Sequence, residues 1–225
     1  VSVFGGAVDR LVHLASAVRG ERVIHAKGRA YDATLAPLPG LADLDVPLAS
    51  ALYDARPALV RFSRGAGLPD LLPDVLGLAV RIQDADGAGG VQDLMLSTGA
   101  RGRWSRHLLV PARSYAAATY TSLISYDVGG RSLVVAALPA LPAGAAGAVS
   151  GTVFDLAVAE GGGEWQPFAR LEVGSPLPAE RGRRVEFEVT HDAGGFAIGG
   201  RWRAARAGAY GAARSVEESG SGEAR

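Results

Sequence analysis

The feature that most limits what this chain can become is a succession of short runs in which apolar and polar residues alternate, each ending at a turn signal. Arg29 to Ala36 is closed by Pro37, Pro39 and Gly40, and Ala58 to Arg64 reads ALVRFSR. Asp74 to Ile82 and Gln92 to Thr98 are separated by the Gly-rich turn Asp86 to Gly90, and Leu123 to Asp127 and Ser132 to Leu138 flank the Gly129-Gly130 pair. Thr152 to Ala159, Gln166 to Val173 and Arg184 to Thr190 follow an Ala/Gly/Pro-rich connector. Alternation with period two is the pattern of strands with two distinct faces, and a Gly-Gly pair between two such runs is a hairpin signal. The runs predict a mainly β, α+β fold: an antiparallel β-barrel of about eight strands, closed or nearly closed.

Helical pieces are expected around it. Val3, Phe4, Val8, Leu11, Val12, Ala15 and Val18 have helical spacing. Residues 41–57 read as a loop with a turn of helix, and 104–120, split by Pro111, as a turn and a short helix. Arg201 to Glu218, rich in Ala and Arg, reads as a C-terminal helix. One barrel domain is expected over 1–218, with the polar stretch 219–225 as a disordered tail.

At 225 residues and 48% hydrophobic, the chain has enough apolar material for one sizeable core. Its 23 basic and 23 acidic residues cancel, which argues against nucleic acid or an anionic membrane as partner. No cysteine is present, so disulfides, thiolate metal sites and a cysteine nucleophile are excluded, and a reducing cytoplasm is the expected location. No signal peptide or membrane span is expected. Oligomeric state is left open, as is a leader, since the chain opens on Val1.

Candidate chemistry centres on Arg22-Val23-Ile24-His25-Ala26-Lys27-Gly28. Val23 and Ile24 favour extended backbone, so this stretch can fix the imidazole of His25 at a cavity wall. On the expected C-terminal helix, Arg206 and Tyr210 are four residues apart and share a face, where a guanidinium can lower the pKa of a phenol. The four histidines, His13, His25, His107 and His191, show no paired metal-ligand spacing.

Four segments in order resemble the haem catalase superfamily: the His25-Ala26-Lys27-Gly28 run, Val60-Arg61-Phe62-Ser63, Asp74 to Ile82 with Leu78 where the family has Phe, and Arg206-Ala207-Gly208-Ala209-Tyr210. The Gly67 to Ala79 core is also similar to a group of short bacterial catalase-related proteins. The resemblance implies haem b as cofactor, with Tyr210 as the axial ligand of its iron and Arg206 supporting the phenolate. It implies His25 as general base toward peroxide and Ser63 as the hydroxyl that orients it, with Arg22, Arg61 and Arg214 as candidates for the haem propionates. Thr98 lies nearest the family's distal asparagine and carries no amide, so a peroxidase or weak catalase acting on hydrogen peroxide or organic hydroperoxides fits better than fast disproportionation. Two further readings stay open: a haem-free barrel that binds a small apolar ligand, and a metal-dependent phosphodiesterase.

Overall fold

A computed structural model describes residues 28–65, 72–140 and 149–199. The expected N-terminal helix, the expected C-terminal helix and the tail 219–225 lie outside the described residues. Ten strands are present among them: β1 (Gly28–Pro37), β2 (Arg56–Arg64), β3 (Leu76–Ile82), β4 (Gln92–Thr98), β5 (Tyr120–Thr121), β6 (Tyr126–Val128), β7 (Arg131–Pro139), β8 (Val153–Glu160), β9 (Gln166–Pro176) and β10 (Phe196–Ile198). The neighbour order β7-β5-β4-β3-β2-β1-β9-β8, completed by pairing of β7 with β8, makes a closed antiparallel barrel of eight strands. Short helices at Pro47–Ala51 and Ala179–Arg184 decorate it, the first within the stretch expected to hold a turn of helix.

Alternation works as the sequence implies. On β2, Ala58, Val60 and Phe62 point inward, and Tyr31, Ala33, Leu35, Leu78, Val80, Ile82, Leu94 and Leu96 join them from β1, β3 and β4. The interior is a packed aromatic and aliphatic core. Phe62 meets Tyr31, Tyr115 and Tyr120 edge-on at ring-centroid distances of 5.9, 5.5 and 6.1 Å, and Phe168 lies 5.4 Å from Phe196. Such pairs contribute roughly 0.5–1.5 kcal/mol each beyond the area they bury.

Three local expectations are corrected. First, the run expected as one strand at Leu123 to Asp127 is broken. β5 and β6 pair with successive parts of β7 and are separated by a kink in which Leu123 has φ 56°. Ser122 stabilises the kink by accepting from the Val135 N–H at 3.1 Å. Second, 104–120 contains turns and isolated bridges, Gly99 to Leu109 and Asp74 to Ala112, instead of a short helix. Third, Arg184 to Thr190 is not a strand. Arg184 ends the short helix and residues 189–190 form a turn; between them the chain has no backbone ladder, although exposure does alternate, with 185, 187 and 189 half-buried.

That last segment and β10 close a seam. β4 pairs with β5 only at Ser97 and Thr98, which leaves its first half without a strand on that side. The chain from Glu188 to Phe196 fills the gap. Asp93 N–H donates to the His191 carbonyl at 2.8 Å, and the Gln92 side-chain amide both donates to the Phe196 carbonyl and accepts from its N–H, each at 3.1 Å. A primary amide thus takes the place of a peptide group in the ladder, which satisfies backbone groups that burial would otherwise leave costly.

Candidate functional site

Residues directly opposite one another in antiparallel strands share a face, so the register sorts the outer side of β1 to β5 into three levels. The first joins Gly28, Ser63, Gly77, Ser97 and Thr121. The second joins Ala30, Arg61, Ala79 and Met95, and the third Asp32, Leu59, Arg81 and Asp93. At a rise of roughly 3.4 Å per residue, the first and third levels are about 13 Å apart along β4.

The first level is a row of residues no larger than threonine. Ser63 is 4% exposed, and Gly77 between the two serines carries no side chain at all. At position 28 a Cβ would collide with the Arg61 guanidinium, which therefore lies folded over the start of β1. The row ends at Thr121, whose hydroxyl donates to the Arg106 carbonyl at 2.9 Å. Arg106 is wholly buried. Its guanidinium stacks 4.4 Å from the centre of the Trp165 ring and donates to the carbonyls of Arg103 and Gly163. Burial pushes its pKa down from the ordinary value, an effect that the neighbouring Glu164 partly offsets. Trp165 in turn covers Ala136 and Ala157, which stand on the outer face of β7 and β8.

Of the residues singled out by sequence, His25, Arg22, Arg206, Tyr210 and Arg214 lie outside the described residues. Ser63 and Arg61 are brought to one face of β2, on neighbouring levels. Thr98 is on the other face. Its hydroxyl accepts from the Leu76 N–H at 3.1 Å and is 1% exposed, within the interior row of Leu76 and Tyr120. Ser97 is the residue of that run that stands beside Gly77 and, through it, in line with Ser63. The two-residue period counted from Asp93 already places Ser97 on Asp93's face, a signal present in the sequence and not used.

The third level is a charged cluster that single-residue reading missed. Asp93 is fully buried and receives Arg81 through both nitrogens, Nε at 2.8 Å and Nη2 at 2.6 Å. It also accepts the Glu188 N–H at 2.8 Å and, with the proton assigned to Nδ1, the His191 imidazole at 2.9 Å. Arg81 further donates to the Glu186 carbonyl and stacks 5.0 Å from the Phe187 ring centre. The Asp93 hydrogen bond raises the Arg81 pKa above its ordinary value. The Arg81–Asp93 pair joins β3 to β4, and the remaining contacts tie the seam segment to those two strands. Among the described residues, no three His, Cys, Asp or Glu side chains come together as a metal-ion site.

Two comparisons return nothing: no family model matches the chain, and no curated protein matches it. Among solved structures, the chain is similar to a fungal catalase, with a TM-score of 0.58 at 12% identity. The likeness covers 89% of this chain and 59% of that catalase, so the chain spans about three fifths of its neighbour's length. At that identity the likeness is one of fold, and the fold is a catalase-like β-barrel.

Proposed function

We propose that this chain is a haem-binding, catalase-fold protein that acts on hydrogen peroxide or organic hydroperoxides, as a peroxidase or weak catalase. The observation that carries the reading is the pairing of Gly28 with Ser63 at the head of the small-residue row. His25 is three residues upstream of Gly28, and three peptide units span at most about 11 Å, a tether that leaves the Ser63 hydroxyl within reach of its imidazole. The row's small side chains take up little room beside a planar group, and Arg61 on the next level carries a guanidinium of the kind that matches a propionate. Those features fit haem.

Haem b, held through Tyr210, supplies the redox chemistry of peroxide cleavage when bound. His25 takes the peroxide proton and returns it to the departing oxygen. Ser63 fixes the imidazole by hydrogen bonding at its other nitrogen, and Arg206 stabilises the Tyr210 phenolate. Arg22, Arg61 and Arg214 are the residues proposed to pair with the propionates. Thr98 holds β3 to β4 from inside the barrel, and Ser97 takes its expected place beside the substrate. Neither presents an amide, which favours turnover of a peroxide with an external donor over rapid disproportionation.

Titration of the purified protein with haemin tests the reading. A saturable Soret band at one equivalent, shifted by Tyr210→Phe, and peroxide turnover lost in His25→Ala are expected. A colourless protein that takes up haemin without saturation, or a Soret band indifferent to Tyr210→Phe, would overturn it. A co-purifying apolar ligand in that colourless protein would identify the haem-free barrel instead.

A further inference from the structure

The chain as a whole is neutral, but its charge is unevenly placed. Between Asp93 and Asp127 there is no acidic residue, while Arg101, Arg103, Arg106, His107 and Arg113 all fall within that interval. Arg101, Arg103 and Arg113 are exposed in the structure. So are three large apolar side chains from the same loop: Trp104 is 84% exposed, Leu108 60% and Val110 41%. Leu108 and Val110 bracket Leu109, which bridges to Gly99 in extended backbone, so they project to one side.

This loop is held rigidly although its apolar tips are bare. Ala100 N–H donates to the Leu108 carbonyl and Val110 N–H to the Thr98 carbonyl. The Arg101 carbonyl accepts from Trp165 Nε1 at 2.9 Å, the Arg103 side chain reaches the Gly162 carbonyl, and buried Arg106 clasps the same turn through Gly163. His107 Nδ1 lies 2.8 Å from the Leu123 carbonyl. A floppy loop exposes apolar groups by default; a braced one presents them at no further ordering cost on binding.

We propose that the 101–113 loop docks the barrel onto an anionic lipid surface. Tryptophan with short aliphatic neighbours enters the interfacial layer, and the flanking guanidiniums meet the headgroup phosphates and carboxylates. Charge complementarity chooses this occupant: Glu164 faces the buried Arg106, but the exposed arginines, on a loop with no acidic residue of its own, repel another copy of it, and an uncharged surface gives them nothing to bind.

Sedimentation of the full chain with vesicles tests the assignment, comparing phosphatidylcholine alone with a mixture containing phosphatidylglycerol. Binding at least tenfold stronger to the anionic vesicles is expected, with a blue shift of tryptophan emission that Trp104→Phe abolishes. Arg101→Glu with Arg103→Glu should remove the preference for anionic lipid, and Trp104→Ser should weaken binding to both vesicle types. These side chains are exposed, so an unchanged melting temperature serves as the control for folding. Absence of binding to either vesicle, binding that ignores lipid charge, or a self-association constant that Trp104→Ser lowers in lipid-free sedimentation equilibrium would overturn the proposal.

Discussion

The two ends of the outer face of β3 and β4 use polarity for opposite purposes. At the Asp93 end, each polar group is spent on another part of the same chain: one carboxylate takes a bidentate guanidinium, an imidazole and a backbone N–H. At the Ser97 end, about 13 Å away by strand geometry, the row Ser63, Gly77, Ser97 carries only small side chains. A buried charged cluster containing a His–Asp pair looks more like an active site than a line of serines and glycine does. Its partners argue otherwise, because Arg81 belongs to the neighbouring strand β3 and the others, His191 and the Glu188 N–H, belong to the segment that fills the seam beside β4.

The largest effect should come from breaking the charged end. Asp93→Ala leaves Arg81 without its carboxylate in a largely buried setting and frees the seam segment, a loss of about 3–5 kcal/mol by analogy with other broken buried pairs. Urea unfolding measures it. The comparison predicts that the variant, where folded, still gives the haemin titration of the wild type. Unchanged stability with a lost Soret band would reverse the roles of the two ends.

Alkali probes the same seam. Burial, with a contribution from Asp93, pushes the Tyr126 hydroxyl up to about 12, although that oxygen accepts the Met95 N–H at 3.1 Å. In the unfolded chain the phenol ionises near ~10. Above that pH the unfolded state binds fewer protons than the folded one, so stability is complete below pH 10 and falls as pH climbs to about 12. The loss from this residue is about 3 kcal/mol. Tyr120, also raised well above its ordinary value by burial, adds to the decline. Tyr126→Phe should start lower at pH 8, by roughly 1 kcal/mol for the lost hydrogen bond, and should draw level with the wild type by about pH 11 as the wild type declines.

Gln92→Leu is next in size. It strips partners from both the N–H and the carbonyl of Phe196, and leaving those groups unpaired costs about 2 kcal/mol. Hydrogen exchange is the sharper measurement, since β10 amides should lose protection before those of β2 and β3.

How much of this was legible in the sequence follows from what holds each piece. β2, β3, β4, β7, β8 and β9 have backbone ladders on both sides, and alternation located all of them. Arg184 to Thr190 has the same alternation, because Val185, Phe187 and Val189 do turn inward in part. Its ladder partner, however, is replaced by the Asp93 carboxylate and the Arg81 guanidinium, and no local pattern encodes a side chain standing in for a strand. β10 was invisible for the complementary reason: three residues are too few to show a period, and Gln92 supplies half of its pairing. The short-range signal of the kink at Leu123 is equally poor, since a positive φ at leucine is set by Ser122 and β7, not by leucine. At the candidate site, alternation along β2 already places Ser63 and Arg61 on one face, and the register agrees. Position along the run 93–98 picks out Thr98 but does not say which way a side chain points, and Thr98 and Ser97 face opposite sides of the sheet.

The smallest change in stability should sharpen the comparison most. Ser97 is only half-buried on the outer face of a strand, where a β-branched residue is well tolerated, so Ser97→Val should shift unfolding by no more than about 0.5 kcal/mol. If the small-residue row is the floor beneath a planar cofactor, a methyl in place of the hydroxyl and a second methyl beside it lift that cofactor from the sheet. Haemin affinity should fall several-fold, with the Soret maximum displaced. Thr98→Val, one residue along but inside the barrel, is the matched control. It removes the acceptor for the Leu76 N–H, costs about 1 kcal/mol or more, and should leave the haemin spectrum where it was. Equal spectral effects from the two neighbours would mean that the face of the sheet does not matter, and the row would cease to be a site.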